Sequence, residues 1–80
     1  MKKDLSYIVY QIGSTRVKEF EDYPSAHEYY LWKICNPIIG GPWVLEYVYE
    51  ENGYVYVQTL AKNGTPVVKE PKRICPLADY

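Results

Sequence analysis

Residues 43–61 decide the fold: Trp-Val-Leu-Glu-Tyr-Val-Tyr-Glu-Glu-Asn-Gly-Tyr-Val-Tyr-Val-Gln-Thr-Leu-Ala. From Trp43 to Glu50 the side chains alternate, and they alternate again from Tyr54 to Ala61. A period of two is the mark of a strand. Between the runs stands Asn52-Gly53, the pair that most readily takes the two left-handed conformations of a type I′ turn. The pairing follows. Glu51 opposes Tyr54, Tyr49 opposes Tyr56 and Val48 opposes Val57. One face then carries Trp43, Leu45, Tyr47, Tyr49, Tyr54, Tyr56, Gln58 and Leu60. The other carries Val44, Glu46, Val48, Glu50, Val55, Val57, Thr59 and Ala61.

A second Asn-Gly pair, Asn63-Gly64, leads to a third strand over Thr65 to Glu70. Pro66 has no N–H to give a ladder, so this is an edge strand. The tail from Pro71 to Tyr80 reads as irregular, with Ile74 and Leu77 as anchors.

Upstream, Leu5 to Ile12 is rich in Tyr, Ile and Val and reads as a strand. Gly13-Ser14 offers a type II′ turn, and Arg16 to Phe20 is the return strand. Its register stays open. A two-residue loop puts Val17 on the face of Ile8 and Tyr10; a three-residue loop puts Phe20 there with Arg16 and Lys18. Asp22 then caps a helix, and Pro24 is tolerated in its first turn. The helix runs from Ser25 to Cys35 and ends at Asn36-Pro37, because proline drives its predecessor out of the α region. Ala26, Tyr30 and Ile34, with Leu31 beside them, form its core stripe. Glu28, Tyr29, Trp32 and Lys33 face outward. Asn36 to Pro42 is a bend.

The expected architecture is therefore α+β. A small antiparallel sheet in the order β-β-α-β-β-β carries one helix on one face. The 80 residues form a single domain. So short a chain has a thin core, and ten tyrosines supply much of its mass.

Charge excludes several classes. Nine Lys and Arg against ten Asp and Glu give a net charge of −1, unlike a polybasic nucleic-acid binder. Apolar residues at 48% and charged residues at 24% match a globular chain rather than a disordered one. No stretch reaches the roughly 20 apolar residues of a membrane span, and none follows the N-terminal lysines as a signal peptide would. The expectation is a cytoplasmic protein whose two cysteines, Cys35 and Cys75, are reduced, although a disulfide between them is possible.

Catalytic patterns are weak. The single histidine, His27, lies eight residues before Cys35 on the same helix, roughly 12 Å away, so the two cannot form a nucleophile–base pair. His27 reads instead as the edge of the core face. Two cysteines and one histidine do not make a metal site, and no cofactor is implied. Pro42 removes a donor that a phosphate loop at Gly40-Gly41 would need. Glu46, Glu50 and Glu51 read as a solvated edge rather than an acid–base pair.

What remains is aromatic. Tyr47, Tyr49, Tyr54 and Tyr56 gather on one sheet face, with Trp43 towards its far end. Tyr29 and Trp32 form a second group on the outer helix face, or else Trp32 folds onto Ile38 or Ile39. Tyrosine and tryptophan dominate protein-binding hot spots. The leading expectation is a non-catalytic protein-binding module that docks through these residues or self-associates. Small accessory proteins of phages and mobile elements, which block a host protein, have this profile. A second reading is single-stranded nucleic-acid binding, with the aromatic face as a stacking platform and Arg16, Lys18, Lys62, Lys69, Lys72 and Arg73 as a basic edge. A third is a homodimer enclosing a small ligand between two sheets.

Overall fold

The computed structural model describes residues 2–35 and 40–80. Strand β1 (Lys3–Gln11) pairs with β2 (Val17–Phe20), helix α1 (Tyr23–Cys35) follows, and β3 (Trp43–Glu51) and β4 (Tyr54–Lys62) form the long hairpin. Two shorter strands, β5 (Thr65–Pro66) and β6 (Lys72–Pro76), and a 3₁₀ turn at Leu77–Asp79 complete the chain. The strands run in the order β2-β1-β3-β4-β5, all antiparallel, with β6 also on β4. The expected α+β sheet with one helix is thus the fold.

The central hairpin has the register read from its turn. Glu51 pairs Tyr54, Tyr49 pairs Tyr56 and Val48 pairs Val57. Asn52 and Gly53 take φ values of 55° and 85°, as a type I′ turn requires. Asn63-Gly64 repeats the geometry. The faces shift at one place. Leu45 pairs Ala61 but Glu46 pairs Thr59, so Leu60 is an inserted bulge residue. The bulge carries Ala61 to the helix side, where it packs beside Leu60 on the core. A strict period of two had placed it on the valine face.

In the first hairpin, Tyr7 pairs Phe20 and Tyr10 pairs Val17, which is the register of the two-residue loop. The turn itself lies elsewhere. Ser14 N–H donates to the Gln11 carbonyl, so Gly13 takes the third turn position with φ 96°, and the chain opens wide before Val17. Phe20 therefore faces the helix.

Helix α1 begins at Tyr23, two residues before the expected Ser25 and directly after the capping Asp22. Asp22 Oδ1 accepts from the Ser25 N–H at 2.8 Å. Ala26 and Tyr30 are buried against Val9 of β1 and Leu45 of β3. Tyr30 does a second job, since its hydroxyl accepts the Gly64 N–H at 2.6 Å and ties the helix to the β4–β5 turn. Tyr29, expected to face outward, is half-buried with its ring 5.3 Å from Phe20. The return strand brings Phe20 under the helix edge, and Tyr29 packs on it. Gly41 has a steric role: a Cβ there would collide with the Ile12 carbonyl, and the Ile12 N–H donates to Pro42.

The C-terminal part departs most from expectation. The third strand stops at Pro66 instead of Glu70, and the tail is not irregular. Both results have one cause. Residues from Thr65 to Pro76 run back along the outer edge of β4, first against Lys62 and Ala61, then against Val57 to Tyr54. The track breaks between Val68 and Pro71, and the register slips by two residues across the break. Leu77 N–H then donates to the Gly53 carbonyl. The pairing partner, not local propensity, makes residues 72–76 a strand.

The valine face is closed as well. Val44, Val48 and Val55 are 3%, 1% and 0% exposed, although the single helix lies on the opposite side. Val55 has Cys75 of β6 as its cross-strand partner, and Val48 has Ser6 of β1. Among the described residues, no helix is long and apolar enough to cross a membrane.

Candidate interaction surface

The sheet register assembles one continuous row of rings. Tyr7 opposes Tyr47 across β1 and β3, and Tyr49 opposes Tyr56 across β3 and β4. Tyr47 and Tyr49 share a face because they are two residues apart on one strand. The ring centroids lie 5.0 Å apart for Tyr7–Tyr47, 5.0 Å for Tyr47–Tyr49 and 5.3 Å for Tyr49–Tyr56, all near parallel. At one end Tyr23 of the helix meets Tyr7 edge-on at 5.7 Å, and His27 stacks on Tyr23 at 5.1 Å. Such pairs add about 0.5–1.5 kcal/mol each beyond simple burial.

The helix covers only part of this row. Its core reaches Tyr7, Trp43, Leu60 and Ala61 but not Tyr47, Tyr54 or Tyr56. Tyr49 is 2% exposed and serves as a floor between its neighbours. Tyr23 and Tyr54 are 42% and 40% exposed and stand at opposite ends. Tyr54, Tyr23 and the half-buried rings are reachable from solvent, whereas Tyr49 is enclosed between its neighbours.

The electrostatics are distinctive. Tyr47 donates its hydroxyl to Asp4 Oδ1. Burial and then the Asp4 carboxylate hold the Tyr47 hydroxyl far above its ordinary pKa. Tyr7 is raised by burial and by Asp4 and Asp22, and Tyr49 by burial and Glu51. Carboxylates therefore border the row at Asp4, Asp22 and Glu51. Two cations already rest on it. Lys2 Nζ is 4.8 Å from the centre of the Tyr49 ring, and the Arg73 guanidinium carbon is 4.8 Å from that of Tyr54.

Trp43, Tyr29 and Trp32 belong to a different group. Lys33 Nζ lies 4.6 Å from the Trp32 ring and 5.4 Å from those of Tyr29 and Trp43. The Trp43 indole nitrogen is buried without a hydrogen-bond partner. Trp32 is 59% exposed, and the alternative contact with Ile38 or Ile39 lies outside the described residues. The seven aromatic residues read from the sequence thus fall into two clusters. Tyr7, Tyr23, His27 and Asp4 were missed. Tyr7 was legible in principle, since any pairing of β1 with β3 in this register brings it to Tyr47.

The basic residues do not form one edge. Arg16 and Lys18 line a groove of about 390 Å³ beside β2, with Lys33 and Trp43. Lys69, Lys72 and Arg73 line another of about 710 Å³ at the break between β5 and β6, together with Glu46 and Glu70. These grooves are on opposite edges of the sheet. Lys62 is exposed at the end of β4. Glu46 is engaged by Thr59 and Tyr10 hydroxyls, and Glu50 accepts the Gly53 N–H. Cys35 is exposed, Cys75 is half-buried, and both are free thiols. Among the described residues, no three His, Cys, Asp or Glu side chains are grouped to hold a metal ion. No protein-family model matches the chain, and no curated protein or solved structure matches it significantly.

Proposed function

We propose that this chain is a non-catalytic protein-binding module that docks through the part of the tyrosine row beyond the helix. One observation carries the reading. The stacked rings continue across β1, β3 and β4 past the end of the helix core, and the exposed rings of Tyr23 and Tyr54 flank them. Rigid, pre-stacked tyrosines lose little side-chain freedom on binding, which suits them to anchor a partner. Occupying a surface of another protein is the mode of action this implies, as in an accessory protein that blocks its target.

The test is the double substitution Tyr23→Ser with Tyr54→Ser. Both side chains are exposed, so circular dichroism should remain native. Capture of the partner that wild-type protein retains from a lysate of the source organism should be lost. Undiminished capture by a folded double variant contradicts the reading. The separation of the basic residues onto two edges disfavours the stacking of single-stranded nucleic acid.

A further inference from the structure

We propose that the groove between β2 and the last turn of α1 is a second binding site, and that it takes a soluble small molecule carrying a phosphate ester or a short polyphosphate. The site lies apart from the tyrosine row and stands whether or not that row docks a partner.

Three elements build it. Lys18 of β2 opposes Val9 of β1, and so shares the sheet face that carries the helix. Arg16, just before β2, lines the same groove. Lys33 enters from the last turn of α1, with Tyr29 and Trp43 beside it. The groove encloses about 390 Å³, a volume suited to a small molecule.

Its charge is one-sided. The chain has nine Lys and Arg against ten Asp and Glu, yet three cations and no carboxylate line this groove. Among the described residues, the Arg16 and Lys18 side chains have no ion-pair partner. Lys33 rests on the Tyr29, Trp32 and Trp43 rings, which hold its position without neutralising its charge. Like charges gathered around one concavity raise the local concentration of anions. The groove at the break between β5 and β6 makes the contrast: it also has three cations, but Glu46 and Glu70 line it with them.

The number of cations selects the anion. A single carboxylate would leave two positive charges over. A phosphate ester carries a charge of about −1.5 to −2 and three acceptor oxygens. The planar Arg16 guanidinium can take two of those oxygens at once. A nucleic acid or an acidic peptide needs a cationic track that continues, and the other basic groove is on the opposite edge of the sheet.

The probe is sodium tripolyphosphate, titrated at low salt into the isotope-labelled full chain and followed by amide chemical shifts. Saturable shifts are expected at residues 16–18, 33 and 43, with residues 69–73 nearly unmoved. Arg16→Gln with Lys18→Gln should weaken binding about tenfold, because two charge contacts at a partly exposed site are lost. Both side chains are exposed, so circular dichroism should remain native. Lys69→Gln with Lys72→Gln removes the same net charge from the other groove and should leave affinity within about twofold.

Equal loss with the two pairs would assign the attraction to net charge and overturn the site. So would the absence of saturable shifts, or shifts centred on residues 69–73. If the Arg16 and Lys18 variant unfolds, the wild-type shift map still decides. Octa-glutamate, a 20-nucleotide oligo-thymidine and vesicles containing phosphatidic acid serve as comparators. Tighter binding of any of these, lost in Arg16→Gln with Lys18→Gln, would overturn the small phosphate in favour of an acidic protein, a nucleic acid or a membrane.

Discussion

Tyr49 lies nearly parallel to Tyr56 across the central hairpin, with ring centroids 5.3 Å apart at an interplanar angle of 13°. This stack marks the change from core to surface. Tyr49 is 2% exposed, whereas Tyr54, on the same face one repeat beyond Tyr56, is 40% exposed. The two residues should therefore answer substitution differently.

Tyr49→Ala should cost about 3 kcal/mol, because removing a buried ring leaves a cavity that its neighbours close only in part. Tyr54→Ala should cost under about 1 kcal/mol, in keeping with an exposed site. Urea unfolding of the two variants, read by circular dichroism, checks the contrast. Equal costs would place Tyr54 in the core.

Tyr30→Phe should cost about 1 kcal/mol, since the Gly64 N–H of an exposed turn loses its acceptor in a part-buried bond. Hydrogen exchange of the Gly64 amide should accelerate in the same variant. An unchanged exchange rate would show that the bond does not hold the turn.

Asp22 gives an acid-side prediction. Its carboxyl sits below the ordinary value of 3.8 because the Ser25 backbone N–H, and then the Ser25 side chain, donate to it. A lowered native pKa stabilises above the unfolded value and is lost as pH falls through the native one. Asp22→Asn keeps the cap but removes the titration. The thermal midpoint of the wild type should fall more steeply than that of Asp22→Asn as pH is lowered through 3.8. Parallel profiles would contradict the cap.

The tyrosines give the alkaline counterpart. Burial, aided by neighbouring carboxylates, raises Tyr7, Tyr10, Tyr47 and Tyr49 above 10.0. A raised native pKa protects the folded state below 10.0, and that protection is lost as pH climbs from the unfolded value towards the native ones. Stability should therefore drop above pH 10.0, and ultraviolet titration of the native protein should show a late tyrosinate fraction. Asp4→Asn should move part of that fraction to lower pH. A single transition for all tyrosines near 10.0 would contradict the buried row.

Much of this structure is written locally. Asn52-Gly53 sets the register of β3 and β4, and Asp22 with Pro24 sets the start of the helix. What local reading misses depends on distant pairing. Leu60 becomes a bulge only because the two long strands must both satisfy the helix core. Residues 72–76 become a strand only because half the edge of β4 is vacant. The same limit applies to the surface. Tyr47, Tyr49, Tyr54 and Tyr56 could be grouped from one turn, but Tyr7, Tyr23 and Asp4 join them only once β1 lies beside β3. The six basic residues are close in character but not in space, because β2 and β6 lie at opposite edges.

The central claim is that a partner lies on the open end of the tyrosine row. Its most direct test is a photo-crosslinking residue placed at Tyr54, with Val68 as the control because that side chain is 99% exposed in the break between β5 and β6. Irradiation in a lysate of the source organism should yield one discrete adduct from position 54 and none from position 68. An adduct at position 68 with none at 54 would contradict the account.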